Sequence, residues 1–417
     1  MSCLSYLSNL KYKKMSKRFL ITLITLLLII AGAGIAIALT KGYTFSSKEG
    51  RLVGTGIISV TSLPDGASVY IDGHLATATN ANISNLPPHK YKMKVIKDGF
   101  IPWEKQVEVK EGVVSAIKIT LFPALPTIYP LTHNGVVKPI LSPDGQKLAF
   151  TVPFTPDNPL RQKGGLWVWT MTSQPIAFNR NAGPRQLVAS VPSLDFAQAS
   201  YRWSPDSKQL FVTMQESNLP GDINKRSFLL SFESSTSVTD LKDITPMVDS
   251  VVKGWEEDQK VQEETRALLI DDLKLKEIAT HPGTLKWSPD ETKFIIGSTL
   301  ATPSPTAKAV SSASAEPAGK RGMLKGYRVY DLEERQYYDL PQALAYYWLP
   351  ESTHIILVQE DKIGIVEFDG SNVAEIYAGK FEPEFVFPWP DSSRLVVLTS
   401  FATSTASSPN LFGVNLK

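Results

Sequence analysis

The chain has 417 residues, of which 43% are hydrophobic, 10% aromatic and 20% charged. This length suits two or three domains, and the hydrophobic fraction allows each of them a core. The formal net charge is +2, from 43 basic and 41 acidic residues. No acidic residue lies before residue 19, but five basic ones do: Lys11, Lys13, Lys14, Lys17 and Arg18. The remainder is slightly acidic and does not attract a phosphate backbone, so we expect no nucleic-acid binding.

An uncharged segment, residues 19–40, follows this basic tail. About 20 helical residues cross a hydrocarbon core of about 30 Å, so the segment is predicted as a transmembrane helix. The positive-inside rule then predicts residues 1–18 as a cytoplasmic tail and everything after about Lys41 outside the cytoplasm. A cleaved signal peptide is the alternative, because Ala36-Ile37-Ala38 resembles a small-x-small cleavage site, although the segment is long for one. Met15 is an alternative start of the chain.

The single cysteine, Cys3, lies ahead of the apolar segment. A lipoprotein cysteine would follow that segment, so we expect no lipid anchor at Cys3. The rest of the chain has neither disulfide bonds nor thiolate metal sites. We therefore expect no metal and no cofactor.

Residues 41–54 are predicted as a linker, and residues 55–123 as a small β-sandwich. Alternating apolar and polar residues predict strands at residues 57–62, 67–71, 91–97, 105–109 and 116–121. Two pairs of turn residues, Asp65-Gly66 and Asp72-Gly73, supply the polar and φ-permissive positions between them.

This segment resembles the PEGA domain family. The motif that names the family stands here as Pro64-Asp65-Gly66-Ala67, with Asp in place of Glu. Further pieces of the family pattern follow in order: Asp72-Gly73, Leu86-Pro87-Pro88, Tyr91, Gly99-Phe100 and Trp103. His89 stands where the family commonly has Gly. The resemblance implies a small β-sandwich of surface and membrane-anchored proteins, with the motif residues in turns and core rather than in catalysis.

In residues 124–417 one sequence motif recurs: an apolar residue, a tight turn, then a strand of alternating apolar and polar residues. Three copies are clear and two are weaker, at residues 141–150, 203–212, 287–296, 348–358 and 389–398. Their turns contain Pro143, Pro205, Pro289, Pro350 and Pro390. The shortest interval between these prolines matches the roughly 40–50 residues of a four-stranded propeller blade.

This recurring motif resembles the TolB-like, WD-type β-propeller repeat. Five blades are visible, and a sixth has two candidate sources, residues 124–133 or an insertion. The expected fold class is therefore all-β, a PEGA-like sandwich and a propeller preceded by one transmembrane helix. Ring closure would protect the sheet edges.

Two insertions lengthen the intervals between successive copies of the motif. Residues 254–280 are predicted as an amphipathic helix, because Val261, Leu268 and Leu275 recur every seven residues, with Leu269 and Leu273 beside them. Residues 301–322 are rich in Ala, Ser, Pro and Thr and are predicted as a disordered loop.

The repeated polar and aromatic residues are interpreted as structural. Asp144, Asp206, Asp290 and Asp391 are predicted to stabilise turns, since a repeated position reflects a repeated need of the fold. Four tryptophans are predicted as equivalent inter-blade core residues: Trp203, Trp287, Trp348 and Trp389. The five histidines (His74, His89, His133, His281 and His354) are scattered. The chain has no G-x-S-x-G elbow, H-E-x-x-H helix or Gly-rich phosphate loop.

These features predict a membrane-anchored, extracytoplasmic binding or scaffolding protein of the cell envelope, not an enzyme. One propeller face would bind an envelope protein or a cell-surface glycan. The alternative is a propeller glycosidase, which needs carboxylates that converge in the central funnel.

Overall fold

The computed structural model describes most of the chain beyond residue 16. The described ranges are 17–40, 43–46, 51–153, 164–171, 183–191, 194–219, 222–232, 235–281, 283–297, 326–400 and 408–417. The folded chain divides into two compact units. The first ends at Leu121 and the second begins at Phe122, except that Gly99–Ile101 belong to the second. The predicted loop at residues 301–322 lies outside the described residues.

Helix α1 extends from Lys17 to Thr40. Within it, Lys17–Ile37 has a mean hydropathy of 2.7 and no buried part, and it is the one described helix long and apolar enough to cross a membrane. The hydroxyls of Thr22 and Thr25 donate to carbonyls one turn earlier, at Arg18 and Ile21. These polar groups are therefore satisfied within the helix, as a hydrocarbon environment requires.

The first unit continues with nine strands. They are β1 (Tyr43–Ser46), β2 (Arg51–Gly54), β3 (Gly56–Leu63), β4 (Ser68–Ile71), β5 (His74–Ala78), β6 (Ala81–Leu86), β7 (Lys90–Ile96), β8 (Trp103–Glu108) and β9 (Val114–Thr120). One sheet has the order β6-β3-β9 and another the order β5-β4-β7-β8. Only the pair of β3 and β9 is parallel. Alternate residues of β3, β4 and β7 form the core, with Ile58, Val60, Val69, Met93 and Val95 all fully buried.

The five predicted strands correspond to β3, β4, β7, β8 and β9. Strands β5 and β6 were not predicted, because their exposed sequences lack apolar alternation. The predicted linker, residues 41–54, also contains a paired hairpin of β1 and β2. Strand pairing depends on backbone hydrogen bonds, and these leave a weak trace in the side-chain pattern.

The second unit contains five antiparallel sheets, which we call blades 1 to 5. Blade 1 consists of β11 (Val137–Leu141), β12 (Lys147–Val152), β13 (Gly165–Thr170) and β14 (Arg185–Ala189). Blade 2 consists of β15 (Ser200–Trp203), β16 (Gln209–Leu219) and β17 (Asp222–Ser231). Blade 3 consists of β18 (Lys286–Trp287), β19 (Lys293–Gly297), β20 (Tyr327–Asp331) and β21 (Gln336–Asp339). Blade 4 consists of β22 (Ala345–Trp348), β23 (His354–Val358), β24 (Lys362–Glu367) and β25 (Ala374–Ala378).

Blade 5 joins the two ends of the second unit. It consists of β26 (Val386–Pro388), β27 (Arg394–Thr399), β28 (Asn410–Asn415) and, on its outer side, β10 (Ile128–Pro130). Strand β10 pairs with β28, so the first strand of the unit completes the last sheet. Residues 124–133 therefore complete the fifth blade, and the described residues form five blades.

Apolar clusters join neighbouring blades around the ring. Blades 1 and 2 share a core through Leu166 and Leu210. Blades 3 and 4 share one through Val329 and Ile355, blades 4 and 5 through Ile365 and Leu395, and blades 5 and 1 through Val396 and Leu148. Face-to-face packing of successive sheets, closed by the β10–β28 pair, is the architecture of a β-propeller.

A helical insertion links blades 2 and 3. Helix α2 (Val248–Ala267) and helix α3 (Leu273–Ala279) are separate. The ring of Trp255 on α2 packs edge-on against Phe211 of blade 2, at 6.2 Å between centroids. Ala267 and Leu275 pack against Phe294 of blade 3. The insertion therefore contacts both blades.

The prediction of one amphipathic helix over residues 254–280 was wrong in its limits and in its apolar face. Leu275 is buried, but Val261 is 61% exposed and Leu268 70% exposed. The chain breaks the helix after Ala267, and Asp272 caps α3 by accepting from the backbone of Lys274 and Leu275. A seven-residue period places residues on one face only of an unbroken helix. Because the helix is broken here, the period does not identify a common apolar face.

Candidate functional site

The repeated Ser-Pro-Asp turns are held by their own side chains. In blade 2, Ser204 Oγ donates to Asp206 Oδ1 at 2.6 Å, and the same oxygen accepts from Lys208 N at 3.1 Å. Asp144, Asp290 and Asp391 accept from the backbone two residues later in the same way. Each repeated carboxylate is thus engaged in a turn of its own blade.

In all five blades, the residue after the turn acid adopts a left-handed conformation, and where it is a serine its hydroxyl ties one blade to another. The residues are Gly145, Ser207, Glu291, Ser352 and Ser392, with φ between 56° and 68°. Asp144 N donates to Ser207 Oγ and Asp290 N to Ser352 Oγ, both at 3.0 Å. Glu291 instead accepts from Arg266 of α2 at 2.8 Å. The turns therefore form inter-blade contacts that sequence reasoning missed.

Three of the four repeated tryptophans occupy equivalent positions at the end of a blade's first strand. Trp203 Nε1 donates to Ile140 O of blade 1 at 3.3 Å, and Trp348 Nε1 donates to Lys286 O of blade 3 at 2.8 Å. Trp287 is only partly buried, and its Nε1 has no hydrogen-bond partner among the described residues. The Trp287 side chain packs against the helical insertion and against Phe294 of its own blade.

The predicted equivalence of Trp389 was wrong by one position. Trp389 N donates to Arg394 O, as Ser142 N donates to Lys147 O and Ser204 N to Gln209 O. It therefore takes the place of the repeated serine, next to Pro390. Trp389 is 4% exposed and packs edge-on against Trp169 of blade 1.

In the first unit, the family-motif residues lie in turns and core. Pro64, Asp65 and Gly66 connect β3 to β4, and Ala67 directly after them is fully buried. Asp72 and Gly73 form the β4–β5 turn with φ of 50° and 85°, and Asp72 Oδ1 accepts from Lys92 N at 2.9 Å. Trp103 is 5% exposed, and Gly99 has a φ of 82°.

The first strands of the blades form the inner edge of the ring. Lys138 Nζ of β11 donates to Ala199 O, next to β15, at 2.9 Å. Lys286 Nζ of β18 donates to Tyr346 O of β22 at 3.2 Å. Because first strands contact first strands between blades, they lie nearest the ring axis.

Basic and phenolic side chains occupy this inner edge. Arg202, Lys286 and Tyr347 each directly precede a repeated tryptophan, and Lys138 lies on the first strand of blade 1. Lys138, Arg202 and Lys286 are exposed, and no carboxylate of the described residues pairs with them. We call Lys138, Arg202, Lys286 and Tyr347 the inner-edge cluster. The position before three of the repeated tryptophans was the sequence signal that could have found Arg202, Lys286 and Tyr347, but not Lys138.

Local environment shifts the titration of two members of the cluster. The ammonium of Lys286 lies 5.4 Å from the centre of the Tyr347 ring, and desolvation lowers its pKa. Burial raises the pKa of Tyr347, and the nearby Glu384 carboxylate raises it further. At neutral pH the phenol is therefore a neutral hydrogen-bond donor.

Two other pairs of enclosed polar side chains already have their partners. Lys293 and Asp331 of blade 3 pair at 3.7 Å, with side chains 12% and 5% exposed. His354 Nδ1 lies 2.9 Å from Glu351 Oε1, and Glu351 also accepts from Ser392 Oγ of blade 5. These groups link strands and blades. The described residues contain no cluster of metal-ligating side chains.

The PEGA domain family matches residues 55–124. The chain therefore contains a PEGA domain, between an apolar helix and a five-bladed β-propeller. No curated protein matches the chain.

Several solved propeller-containing structures are similar. TolB from Acinetobacter baumannii is 12% identical with a TM-score of 0.23, and the match covers 79% of this chain and 60% of that one. The putative TolB from Agrobacterium tumefaciens is 12% identical with a TM-score of 0.22, covering 69% and 89%. The oligogalacturonate lyase from Vibrio parahaemolyticus is 7% identical with a TM-score of 0.28, covering 78% and 86%. At such low scores, the fold of this chain rests on its own sheets and their closure.

Proposed function

We propose that this chain is a membrane-anchored, non-enzymatic binding or scaffolding protein of the cell envelope, with both folded units outside the cytoplasm. The observation that carries the proposal is α1, an apolar helix with no buried part and with Lys17 and Arg18 at its start. Basic residues flanking a span favour the cytoplasmic side. The PEGA domain that follows is typical of surface and membrane-anchored proteins.

The chemistry of the propeller supports binding rather than turnover. The repeated carboxylates Asp144, Asp206 and Asp290 bond within their own turns. A glycosidase needs two carboxylates on opposite sides of a bound sugar. The inner edge instead presents Lys138, Arg202 and Lys286, which suit ligand binding.

Protease accessibility tests the location. A protease added outside intact spheroplasts is expected to digest everything after about Lys41, while a cytoplasmic control protein stays intact. If the folded units survive while a periplasmic control is degraded, the proposed orientation is wrong.

A turnover assay tests the absence of enzymatic activity. The purified full-length protein in detergent is incubated with a panel of envelope polysaccharides, and released product is measured apart from binding. We expect no product. Hydrolysis that disappears when a single funnel carboxylate is replaced, with the thermal unfolding profile unchanged, would establish the glycosidase alternative.

A further inference from the structure

The inner-edge cluster contains more cationic donors than the protein itself uses. Lys138 and Lys286 each donate to one backbone carbonyl. An ammonium group has three donors, so each retains two. Arg202 makes no hydrogen bond or ion pair among the described residues, which leaves its whole guanidinium group available.

These cations belong to three consecutive blades. Lys138 lies on β11, Arg202 on β15 and Lys286 on β18. Lys138 reaches the start of β15, and Lys286 reaches β22, so the charged groups follow the inner edge from blade to blade. The Glu384 carboxylate lies near Tyr347, the member of the cluster that belongs to blade 4. The result is a cationic arc across blades 1 to 3.

The lack of a carboxylate partner makes the arc a site for an anion. The ammonium of Lys286 lies against a carbonyl and a tyrosine ring, both of which are weaker partners than a carboxylate. An anionic ligand would supply the missing charge through charge-assisted hydrogen bonds.

The backbone of the inner edge argues against a peptide as that ligand. An extended peptide pairs with free carbonyl and amide groups of a strand edge. Here side chains of the neighbouring blade already occupy one backbone carbonyl in each of four blades. The occupied carbonyls are Ile140 O, Ala199 O, Lys286 O and Tyr346 O. The unused groups of the inner-edge cluster are side-chain donors, which suits a ligand rich in acceptors.

From this geometry we infer that the inner-edge cluster binds an acidic glycan, whose carboxylate groups contact Lys138, Arg202 and Lys286 in succession. Sugar rings carry acceptor oxygens and lack the amide donors that would need those carbonyls. Tyr347 donates its phenolic hydrogen to the same ligand beside Lys286. This inference rests on the proposed binding function and specifies its ligand.

The test is a titration of the full-length protein in detergent with a β-1,4-linked glucuronate hexamer. Its fully methyl-esterified form is the uncharged comparison, and a glutamate hexapeptide is the peptide comparison. We expect the glucuronate hexamer to bind, the ester to bind at least tenfold more weakly, and affinity to fall with rising salt. The peptide is expected to bind more weakly than the glucuronate hexamer.

Substitutions locate the site. Arg202→Met and Lys286→Met are each expected to weaken binding of the hexamer by roughly tenfold or more, the usual effect of losing one hydrogen bond to a charged group. Arg202→Lys retains the charge and should recover part of the loss. Lys253→Met, on the exposed surface of α2, is the matched control and should leave affinity unchanged. A thermal unfolding profile for each variant separates lost binding from lost folding.

Three results would overturn the inference: no binding of the glucuronate hexamer, equal losses in Lys253→Met and Lys286→Met, or tighter binding of the peptide. None of them would decide the membrane location, which the protease experiment tests separately. If the orientation test fails while the titration succeeds, the glycan site stands and the proposed location falls.

Discussion

At the scale of single residues, serines whose backbone adopts the left-handed conformation join neighbouring blades. Ser207 and Ser352 are 1% and 2% exposed, and each accepts the backbone N–H of an aspartate in the preceding blade. This hydrogen bond joins two blades whose turns lie about sixty residues apart in sequence. Its loss would leave a backbone donor without a partner at the blade interface.

Ser352→Ala tests this contact. We expect a loss of about 1–3 kcal/mol in the free energy of unfolding, the cost of leaving a buried donor unsatisfied. Ser250→Ala, on the exposed face of α2, should change it by less than about 0.5 kcal/mol. Denaturant titration of the propeller transition measures both. An equal effect of the two substitutions would show that the inter-blade hydrogen bond contributes nothing.

A second residue-scale prediction concerns acid stability. The hydrogen bond from the Ser204 hydroxyl lowers the pKa of Asp206, and the backbone of Lys208 adds to this effect. A carboxyl whose pKa is lower in the folded state stabilises the protein above its unfolded pKa of about 4, and this contribution is lost as the pH falls through the folded value. Since Asp206 is largely exposed, the effect is small.

Asp206→Asn keeps the turn acceptor and removes the charge. We expect the variant to be less stable than the parent at pH 7, and the difference to vanish as the pH falls below about 4. Thermal unfolding midpoints between pH 3 and pH 7 measure this, with Asp258→Asn on α2 as the control. A difference that grows on acidification would mean that the pKa shift has the opposite sign.

At the scale of elements, the helical insertion places two leucines with the same seven-residue spacing in different surroundings. Leu268 and Leu275 are seven residues apart, but Leu268 is 70% exposed and Leu275 4% exposed. Leu275 packs with Ala267 against Phe294 of blade 3. The break between α2 and α3 turns the two side chains to different surroundings.

Leu275→Ala is therefore expected to cost about 2–5 kcal/mol, through lost burial and the cavity left behind. Leu268→Ala should stay within about 0.5 kcal/mol, because its side chain is already mostly in water. The two variants serve as each other's control in one denaturant experiment. If Leu268→Ala proves as costly as Leu275→Ala, an unbroken amphipathic helix describes the insertion better.

At the scale of the whole molecule, stability depends on closure of the ring. Tyr129 of β10 lies opposite Gly413 of β28, and its hydroxyl accepts from Arg394 Nη1 at 2.6 Å. A Cβ atom at Gly413 would lie 2.7 Å from Tyr129 Cζ. Because Arg394 fixes the end of the ring, the tyrosine cannot move aside without losing a contact.

Gly413→Ala should thus destabilise the propeller by about 1–3 kcal/mol, the usual cost of overpacking. Gly183→Ala is the matched control, since a Cβ there meets no atom within 4 Å. Differential scanning calorimetry of the full-length protein measures both shifts. An unchanged unfolding temperature for Gly413→Ala would show that the β10–β28 pair does not limit the stability of the ring.

The sequence alone was sufficient to predict the apolar helix, the tight turns and the repeated hairpins, but not strands β5 and β6 or the pairing of β1 with β2. An uncharged run of residues requires an apolar helix, and Asp72-Gly73 or Ser204-Pro205-Asp206 require tight turns, because the cause lies within a few neighbouring residues. The PEGA domain and the repeated hairpins followed from such motifs. The limits of α2 and α3 did not, since packing against blade 3 decides which side chains are buried.

Only the tertiary structure decided which distant residues meet. Strand β10 (Ile128–Pro130) pairs with β28 and therefore belongs to blade 5. This pairing depends on closure of the ring, which brings together residues from the two ends of the unit. The same closure brings Lys138, Arg202 and Lys286 to one inner edge, which the shared position of Arg202 and Lys286 before a tryptophan does not by itself predict. Local patterns specify turns and strands, whereas a binding surface built from several blades exists only after the blades have packed together.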